Sequence, residues 1–318
     1  MTLRTLWGPT RRILLTVPVL WAVVSIVFLL IHLVPGDPIA QMLGEGATAA
    51  DIDALRHSYG FDLPLQQQYA HYWQGIVHGD LGQSLRLHDS VTHLVLERYP
   101  YTLALTVAAL VIAILIAVPS GVVSALHRAR WQDRTLGILS LIGLSFPNFA
   151  LGPILILLVS IRLGWLPVST AGTGGFFSTD FLLHLILPAV TLGLSLAAIL
   201  TRMVRTAMLE ELSQDYIRTA RAKGLTENQV VYRHALRNAL IPVLTVIGLQ
   251  FGSLLAGAIV TETIFSWPGI GRLTLSAISN RDYALVQGCI LAVGLTYVGV
   301  NLFTDVAYTI ANPRIRTQ

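Results

Sequence analysis

Long apolar runs alternate with short polar segments along almost the whole chain. A helix of about 20 apolar residues is long enough to cross the hydrocarbon core of a bilayer, which is roughly 30 Å thick. The pattern therefore predicts an all-α polytopic membrane protein with six transmembrane helices. The predicted spans are residues 13–33, 101–126, 136–161, 181–201, 239–260 and 284–304.

The longest polar interruption is the segment 35–99, which follows the first span. Helix-like stretches occur inside it, and a segment of this length is too long to be a structureless connection. We therefore expect a small helical cap on the extracytoplasmic face. The chain then has three parts: residues 1–34 are an N-terminal tail and the first span, 35–99 are the insert, and 100–318 are the membrane core with a polar loop at about 205–238.

Two regions depart from simple spans. The third apolar run contains SFPNFALGP, in which Pro147 and Pro153 are expected to kink the helix or leave backbone carbonyls unpaired. The segment 261–283, which contains Trp267-Pro268-Gly269, is only mildly polar. We interpret it as an interfacial or re-entrant helix.

The first apolar run follows basic residues, as the apolar region of a secretory signal peptide does. It is about 20 residues long, however, and no convincing A-x-A cleavage pattern follows it. We expect an uncleaved transmembrane helix.

Composition and charge support this topology. Hydrophobic residues make up 54% of the chain and charged residues only 12%, against roughly a quarter in ordinary soluble domains. We predict that both termini lie in the cytoplasm, because 15 of the 21 Lys and Arg residues then lie in cytoplasmic segments, as the positive-inside rule requires. The net charge of +4 therefore reflects topology and does not indicate a nucleic-acid partner. The single cysteine, Cys289, lies in an apolar run and is expected to be a small buried residue.

Known catalytic motifs are missing from the sequence. Lys223 is the only lysine, and its neighbours do not form the Gly-Lys-Ser/Thr of a P-loop, so this nucleotide site is excluded. Neither H-E-x-x-H nor G-x-S-x-G occurs, and we expect no metal site or cofactor. The middles of the predicted spans carry no charge, which disfavours ion-coupled transport. Energy must then come from a partner, although an intramembrane enzyme stays a distant alternative.

Polar side chains inside or near the spans have two interpretations. Asn148, Gln250 and Glu262 are candidates for lining a translocation pathway. The alternative is that such groups form hydrogen bonds between helices, each worth about 1 kcal/mol. The sequence does not decide between the two.

The polar segment 211–242 is the most informative part of the second half. Its first part, ELSQDYIRTARAKG, places apolar or small residues on one stripe of a predicted helix, and Gly224 is positioned to end that helix in a left-handed cap. Thr226 and Gln229 then fit a capping box that starts a second helix. The alternative is an amphipathic helix resting on acidic lipid headgroups.

These residues resemble the EAA loop of ABC-importer permeases. In RTARAKG, Arg218, Thr219 and Ala220 stand where E-A-A stands, and Gly224 matches the family's glycine. The following I-x-L-P element agrees only at Leu236, and the version here is similar to that of the peptide/nickel branch. The departure at the first position leaves Asp215 as the acidic candidate for docking. The resemblance implies an ATPase-coupling surface formed by Asp215, Tyr216, Arg218, Thr219, Ala220, Lys223 and Gly224.

The resemblance covers nearly the whole chain in order. Further blocks similar to the first permease subunit of dipeptide, oligopeptide, glutathione or nickel importers are LVPGDP, GDLGQS, SFPNFALG, LGWLPVS, IFSWPGIGRL and NPRIR. It implies the type I ABC importer fold in the cell inner membrane and no enzyme activity. Implied partners are a second permease, two cytoplasmic ATPases that bind ATP and magnesium, an extracytoplasmic binding protein and membrane lipid. Peptide or glutathione is favoured as substrate, and nickel or a nickel chelate is the alternative.

Overall fold

The computed structural model describes residues 4–33, 38–43, 48–168, 170–176 and 178–311. These residues are almost entirely helical, with one isolated antiparallel bridge between Gln83 and Ser90. Their α-helices, in chain order, are α1 (Arg4–Leu33), α2 (Pro38–Leu43), α3 (Ala49–Ser58), α4 (Leu65–His78), α5 (Val91–Leu126), α6 (Trp131–Ser145), α7 (Asn148–Leu155), α8 (Thr179–Leu212), α9 (Asp215–Ala222), α10 (Leu236–Ile264), α11 (Ile270–Ser279) and α12 (Tyr283–Ala311). Two π-helical turns, Ile156–Arg162 and Gln229–Ala235, follow α7 and precede α10.

Five helices in the described part of the chain are long and apolar enough to cross a membrane, and α6 with α7 can supply a sixth. The prediction of an all-α protein with six spans is therefore confirmed. The side of the membrane on which the termini lie stays a prediction. Several helices are longer than their predicted spans. For example, α5 begins at Val91 rather than at residue 101, because Val91, Leu94 and Val95 form a buried apolar stripe at helical spacing.

The third span is broken, as the prolines predict. Helices α6 and α7 meet at an angle of 103°. Phe146 has an extended backbone with φ −86° and ψ 115°, and Pro147, with φ −67°, precedes α7. Proline has no N–H to donate, so the helical hydrogen-bond ladder cannot run through residue 147. Pro153 lies inside α7, and the π-helical turn begins three residues later at Ile156.

The chain divides into two compact units, and the larger is built around Leu103–Trp267. Helix α8 is central to it and packs against α10 and α6. Small residues permit the closest approaches, since a Cβ on Gly193 would lie 2.6 Å from the Ala109 carbonyl oxygen of α5. A Cβ on Gly121 would likewise meet Val204 of α8 at 2.6 Å. Close backbone contact at small residues is a common way of packing membrane helices.

The second unit consists of Arg11–Thr102 and Pro268–Val298. Within it, α4 is attached to α1 by aromatic rings and hydrogen bonds. Phe28 lies 5.2 Å from Tyr69 and 5.6 Å from Tyr72, measured between ring centroids. Ser25 and Tyr69 share a hydroxyl–hydroxyl bond of 2.7 Å. The helices that the sequence predicts within the insert are therefore present as α3 and α4.

A buried aspartate joins two further segments of the same unit. Asp282, which is 2% exposed, accepts a 2.5 Å hydrogen bond from the Ser84 hydroxyl and a 3.2 Å bond from the Leu285 N–H. The first bond holds the GDLGQS segment, and the second satisfies a backbone donor at the start of α12. The predicted helix in 261–283 is α11, which has only 10 residues. It is too short to cross a bilayer.

Candidate coupling site

The polar loop between α8 and α10 is a short helix held between two turns. Helix α8 runs on to Leu212, and Ser213 and Gln214 separate it from α9. The prediction of one continuous helix from Glu211 to Gly224 is therefore wrong. The physical reason lies in Ser213, whose hydroxyl bonds the Glu210 carbonyl at 2.7 Å and whose N–H bonds the same carbonyl at 3.2 Å. This local turn competes with helix continuation.

The two faces of α9 have different environments. Ile217 is fully buried and Ala220 is 7% exposed. These residues are three apart, so they lie on the same helix face, which packs into the chain itself. The resemblance places Ala220 on the coupling surface, but in the structure its methyl group is covered by the chain itself. The remaining predicted coupling residues are on the surface: Asp215, Tyr216, Arg218, Thr219, Lys223 and Gly224.

Gly224 ends the helical segment as predicted. Its φ of +80° is in the left-handed region, and no atom lies within 4 Å of the position that a Cβ would occupy. Glycine is needed here for its backbone freedom and not to avoid a steric clash. Beyond it, the Gln229 side chain accepts a 3.1 Å bond from the Thr226 N–H, which is one half of the predicted capping box.

An exposed ion pair closes the turn around Gly224. Arg221 donates to Glu227 through Nε at 2.7 Å and through Nη2 at 3.2 Å. The hydrogen bond from Arg221 lowers the pKa of the Glu227 carboxyl below its ordinary value. Sequence reading did not find this pair, because its partners are six residues apart and the turn between them is irregular.

Tyr216 connects α9 to both flanking segments. Its hydroxyl donates to the Glu211 carboxylate at 2.5 Å and accepts from the Asn238 side-chain amide at 2.9 Å. Burial raises the pKa of the Tyr216 hydroxyl, and the bond to Glu211 adds to this. Glu211 belongs to α8 and Asn238 to α10, so one side chain fixes the helix against the two ends of the loop. Of this trio, the sequence singled out only Tyr216 for the site.

A second polar cluster lies where α5, α6 and α8 meet, and the sequence did not predict it. Asp133, at the start of α6, accepts from Arg205 of α8 through Nε at 2.6 Å and Nη2 at 2.8 Å. Asp133 also accepts from the Ser124 hydroxyl of α5 at 2.5 Å and from the Ala129 N–H at 2.9 Å. The only sequence signal was an aspartate in an otherwise basic loop. We call these four residues the basal cluster.

The three predicted pathway residues do not share one environment. Asn148, at the start of α7, accepts a 2.9 Å hydrogen bond from Ser195 of α8, so it makes the helix–helix bond that was the alternative interpretation. Gln250 is half-buried on α10, and Glu262 is completely buried near the end of that helix. That any of them lines a route for substrate stays a prediction.

A cavity of about 440 Å³ lies among α5, α6, α7 and α8. Its lining is apolar except for the hydroxyls of Ser120, Ser140 and Thr201. The Ser140 and Thr201 hydroxyls bond carbonyls of their own helices, at 2.8 and 2.7 Å. The cavity is therefore chemically apolar. In the described part of the chain, no cluster of three or more His, Cys, Asp or Glu side chains could hold a metal ion.

Comparison with known proteins identifies the family. Residues 117–317 match the binding-protein-dependent transport system inner membrane component family, and residues 6–106 match the N-terminal part of such components. Among solved structures, two inward-facing forms of the MetNI methionine ABC transporter resemble this chain with TM-scores of 0.55 and 0.57. Their identities are 19% and 21%, and each match covers 69% of this chain and 96% of the other. At that identity the likeness shows the fold alone.

Curated relatives are similar over almost their entire length. The di/tripeptide transport system permease DppB of Pseudomonas aeruginosa is 47% identical, over 97% of this chain and 98% of the relative. The glutathione transport system permease GsiC of Escherichia coli K12 is 43% identical, over 96% and 97%. The family consists of transport subunits of the inner membrane and not of enzymes. The chain therefore belongs to the binding-protein-dependent transport system inner membrane components, the multi-pass permease subunits of ABC importers.

Proposed function

We propose that this permease forms half of a translocation pathway for small peptides, including di- and tripeptides or glutathione. The similarity to the two named permeases supports this substrate class over nickel, since both relatives are named for peptide-type substrates and match nearly end to end. In the described residues, the absence of a cluster of metal ligands is in keeping with a substrate that is not a bare metal ion. A second permease would supply the other half of the pathway.

Energy for transport comes from two cytoplasmic ATPase subunits, which bind ATP and magnesium. The sequence lacks a P-loop, so the nucleotide must be bound elsewhere. An extracytoplasmic binding protein would deliver the substrate, and the family description, which calls these systems binding-protein-dependent, supports this partner. In this proposal both termini and the α8–α10 loop lie in the cytoplasm, which places most of the Lys and Arg residues on that side.

The coupling part of the proposal rests on α9, which has one buried face and one exposed, polar face. Ile217 and Ala220 anchor the helix in the chain, while Asp215, Arg218 and Thr219 point outward on its other faces. The side chain of Tyr216 fixes the helix at both ends of the loop. A short helix held firmly on one side and polar on the other can receive a push from a docked subunit and pass it to α8 and α10. Alternating access would follow from such a rearrangement of packed helices.

The exposed face of α9 provides the test. In proteoliposomes containing the complete transporter, Arg218→Glu combined with Lys223→Glu should abolish ATPase docking and ATP-driven uptake, while membrane insertion is unchanged. Arg202→Glu, an exposed change on α8 outside the loop, is the control and should transport normally. Uptake is measured with labelled dipeptide, tripeptide and glutathione, and with nickel alone. Normal uptake by the double variant would contradict the coupling role, and uptake of nickel alone would contradict the substrate class.

A further inference from the structure

The basal cluster has the geometry of a rigid joint. The two carboxylate oxygens of Asp133 accept four hydrogen bonds, two from Arg205 and one each from Ser124 and Ala129. A carboxylate offers about four lone-pair sites, so this one is fully used. The Asp133 side chain is 10% exposed and that of Arg205 is 32% exposed. A two-point guanidinium–carboxylate contact fixes orientation as well as distance.

The backbone of the α5–α6 turn is also held by this cluster. Ala129 has a φ of +65°, which is unfavourable for a residue with a Cβ. Such conformations persist where the surroundings determine them. Here the Ala129 N–H donates to Asp133, and the Arg130 N–H donates to the His127 carbonyl at 2.9 Å. The turn therefore depends on the same carboxylate that binds Arg205.

Arg205 lies on the part of α8 that leads to the coupling helix. With 34 residues, α8 is about 51 Å long at 1.5 Å per residue. This exceeds the roughly 30 Å hydrocarbon core, so the last turns of α8 extend beyond it. Arg205 is about two turns before the end of the helix at Leu212, and only Ser213 and Gln214 separate that end from α9.

The other partner of the contact, Asp133, lies on α6. It is the third residue of α6, and α6 ends at the 103° bend with α7. With 15 residues, α6 is about 22 Å long. A displacement of the α8 end therefore reaches the bent span directly if the joint between Arg205 and Asp133 is rigid.

We propose that Asp133 and Arg205 are positioning residues that transmit movement of the coupling helix α9 to the bent span α6–α7. The inference rests on the proposed function, because it assumes that a docked ATPase moves α9. It adds a second route for that movement, beside the direct packing of the loop on α8 and α10. Loosening the joint should uncouple transport from ATP hydrolysis while leaving the subunits assembled.

The test compares two arginines on the same helix. Arg205→Met removes the two-point contact but keeps an apolar side chain about as long as the aliphatic part of arginine. Arg202→Met is the control at an exposed position one turn earlier. In the reconstituted transporter, Arg205→Met and Asp133→Asn should each lower substrate uptake per ATP hydrolysed by about ten-fold. Uptake per ATP hydrolysed in Arg205→Lys should lie between the values for wild type and Arg205→Met, since a lone ammonium cannot make the two-point contact of a guanidinium. Asp133→Asn combined with Arg205→Met should lower uptake per ATP hydrolysed no further than the more impaired of the two single variants does. Each single change already breaks the contact between Asp133 and Arg205.

Hydrogen exchange on the same complexes separates this inference from the proposed function. Arg205→Lys should speed exchange at residues 127–131 and throughout 206–222, and Arg202→Met should not. This readout needs no transport, so it stays informative if the wild-type complex fails to take up peptide and thereby contradicts the proposed function. Unchanged exchange in residues 206–222 would contradict the proposal that Asp133 and Arg205 transmit movement between these helices. So would uptake and ATP hydrolysis that fall together in proportion to the amount of assembled complex.

Discussion

Two of the protein's arginine–carboxylate pairs have almost the same chemistry and very different surroundings. Arg205 and Asp133 join α8 to α6, and Ser124 adds α5 to this contact; the side chains of the pair are 32% and 10% exposed. Arg221 and Glu227 close a local turn, with side chains 43% and 63% exposed. Both arginines contact their carboxylate through two nitrogens. The pairs therefore differ in burial and in what they connect, and hardly at all in geometry.

This difference shows why counting ion pairs says little about a structure. An exposed pair gains little because water and salt screen it, typically about 0.2–1 kcal/mol. A largely buried carboxylate has lost its water and depends on its partners, so removing one partner is costly. We therefore expect the basal cluster to control how helices are joined, and the Arg221–Glu227 pair to adjust one turn.

The largest effect is expected at Asp133. Asp133→Ala removes all four acceptor contacts and leaves Arg205 facing a partly buried space, so the free energy of unfolding should fall by about 3 kcal/mol. Thermal unfolding of the purified protein in detergent would measure this. Asp133→Leu combined with Arg205→Met should recover part of the loss, because a buried ion pair can be replaced by apolar packing. If Asp133→Ala lowered the free energy of unfolding no more than Glu227→Ala does, the distinction between the buried and the exposed pair would be wrong.

An intermediate effect is expected at Gly224, in the turn that the exposed pair closes. Gly224→Val should destabilise the turn by about 1 kcal/mol, since a β-branched residue is strained at positive φ. Gly224→Asn should cost less, because asparagine tolerates the left-handed region. Hydrogen exchange in residues 221–229 would show the difference. Equal exchange in the two variants would mean that the Arg221–Glu227 pair, and not the glycine, determines the turn.

The smallest effect is expected at the exposed pair itself. Glu227→Gln should change the free energy of unfolding by about 0.5 kcal/mol or less, and added salt should reduce the change further. The pKa of Glu227 lies below its ordinary value of 4.5. The contribution of the pair is therefore present at neutral pH and is lost only as the pH falls through that lowered pKa. Thermal unfolding near neutral pH should then show no pH dependence from this group, and a clear one would contradict the assignment.

Local patterns were sufficient to predict most of the fold. The apolar runs gave the six spans, and Pro147 marked the break in the third, because hydropathy and the missing proline N–H act within a few residues. Gly224 was recognised for the same reason, since its left-handed conformation is a local requirement. Span ends were less accurate. Helices α5 and α8 continue past the apolar runs as amphipathic or polar helix, which hydropathy alone does not detect.

The connections between distant residues could not be predicted. Asp133 and Arg205 are far apart in the chain, and nothing in the basic loop showed that its aspartate would point at α8. The resemblance placed Ala220 on the coupling surface, whereas in the structure it lies on the buried face of α9. A helical stripe shows which residues share a face. It does not show whether that face packs against the same chain or another.

The bend between α6 and α7 has a consequence for how the permease can exist in a bilayer. In an unbroken helix the carbonyl of Gly143 would accept from residue 147, but Pro147 has no hydrogen to offer. Hydrocarbon cannot solvate the backbone dipoles left at such a break, and irregular backbone at membrane depth is found against protein or beside water. The bend at residues 143–147 therefore requires that protein or water surround its backbone. Lipid tails alone cannot meet this requirement.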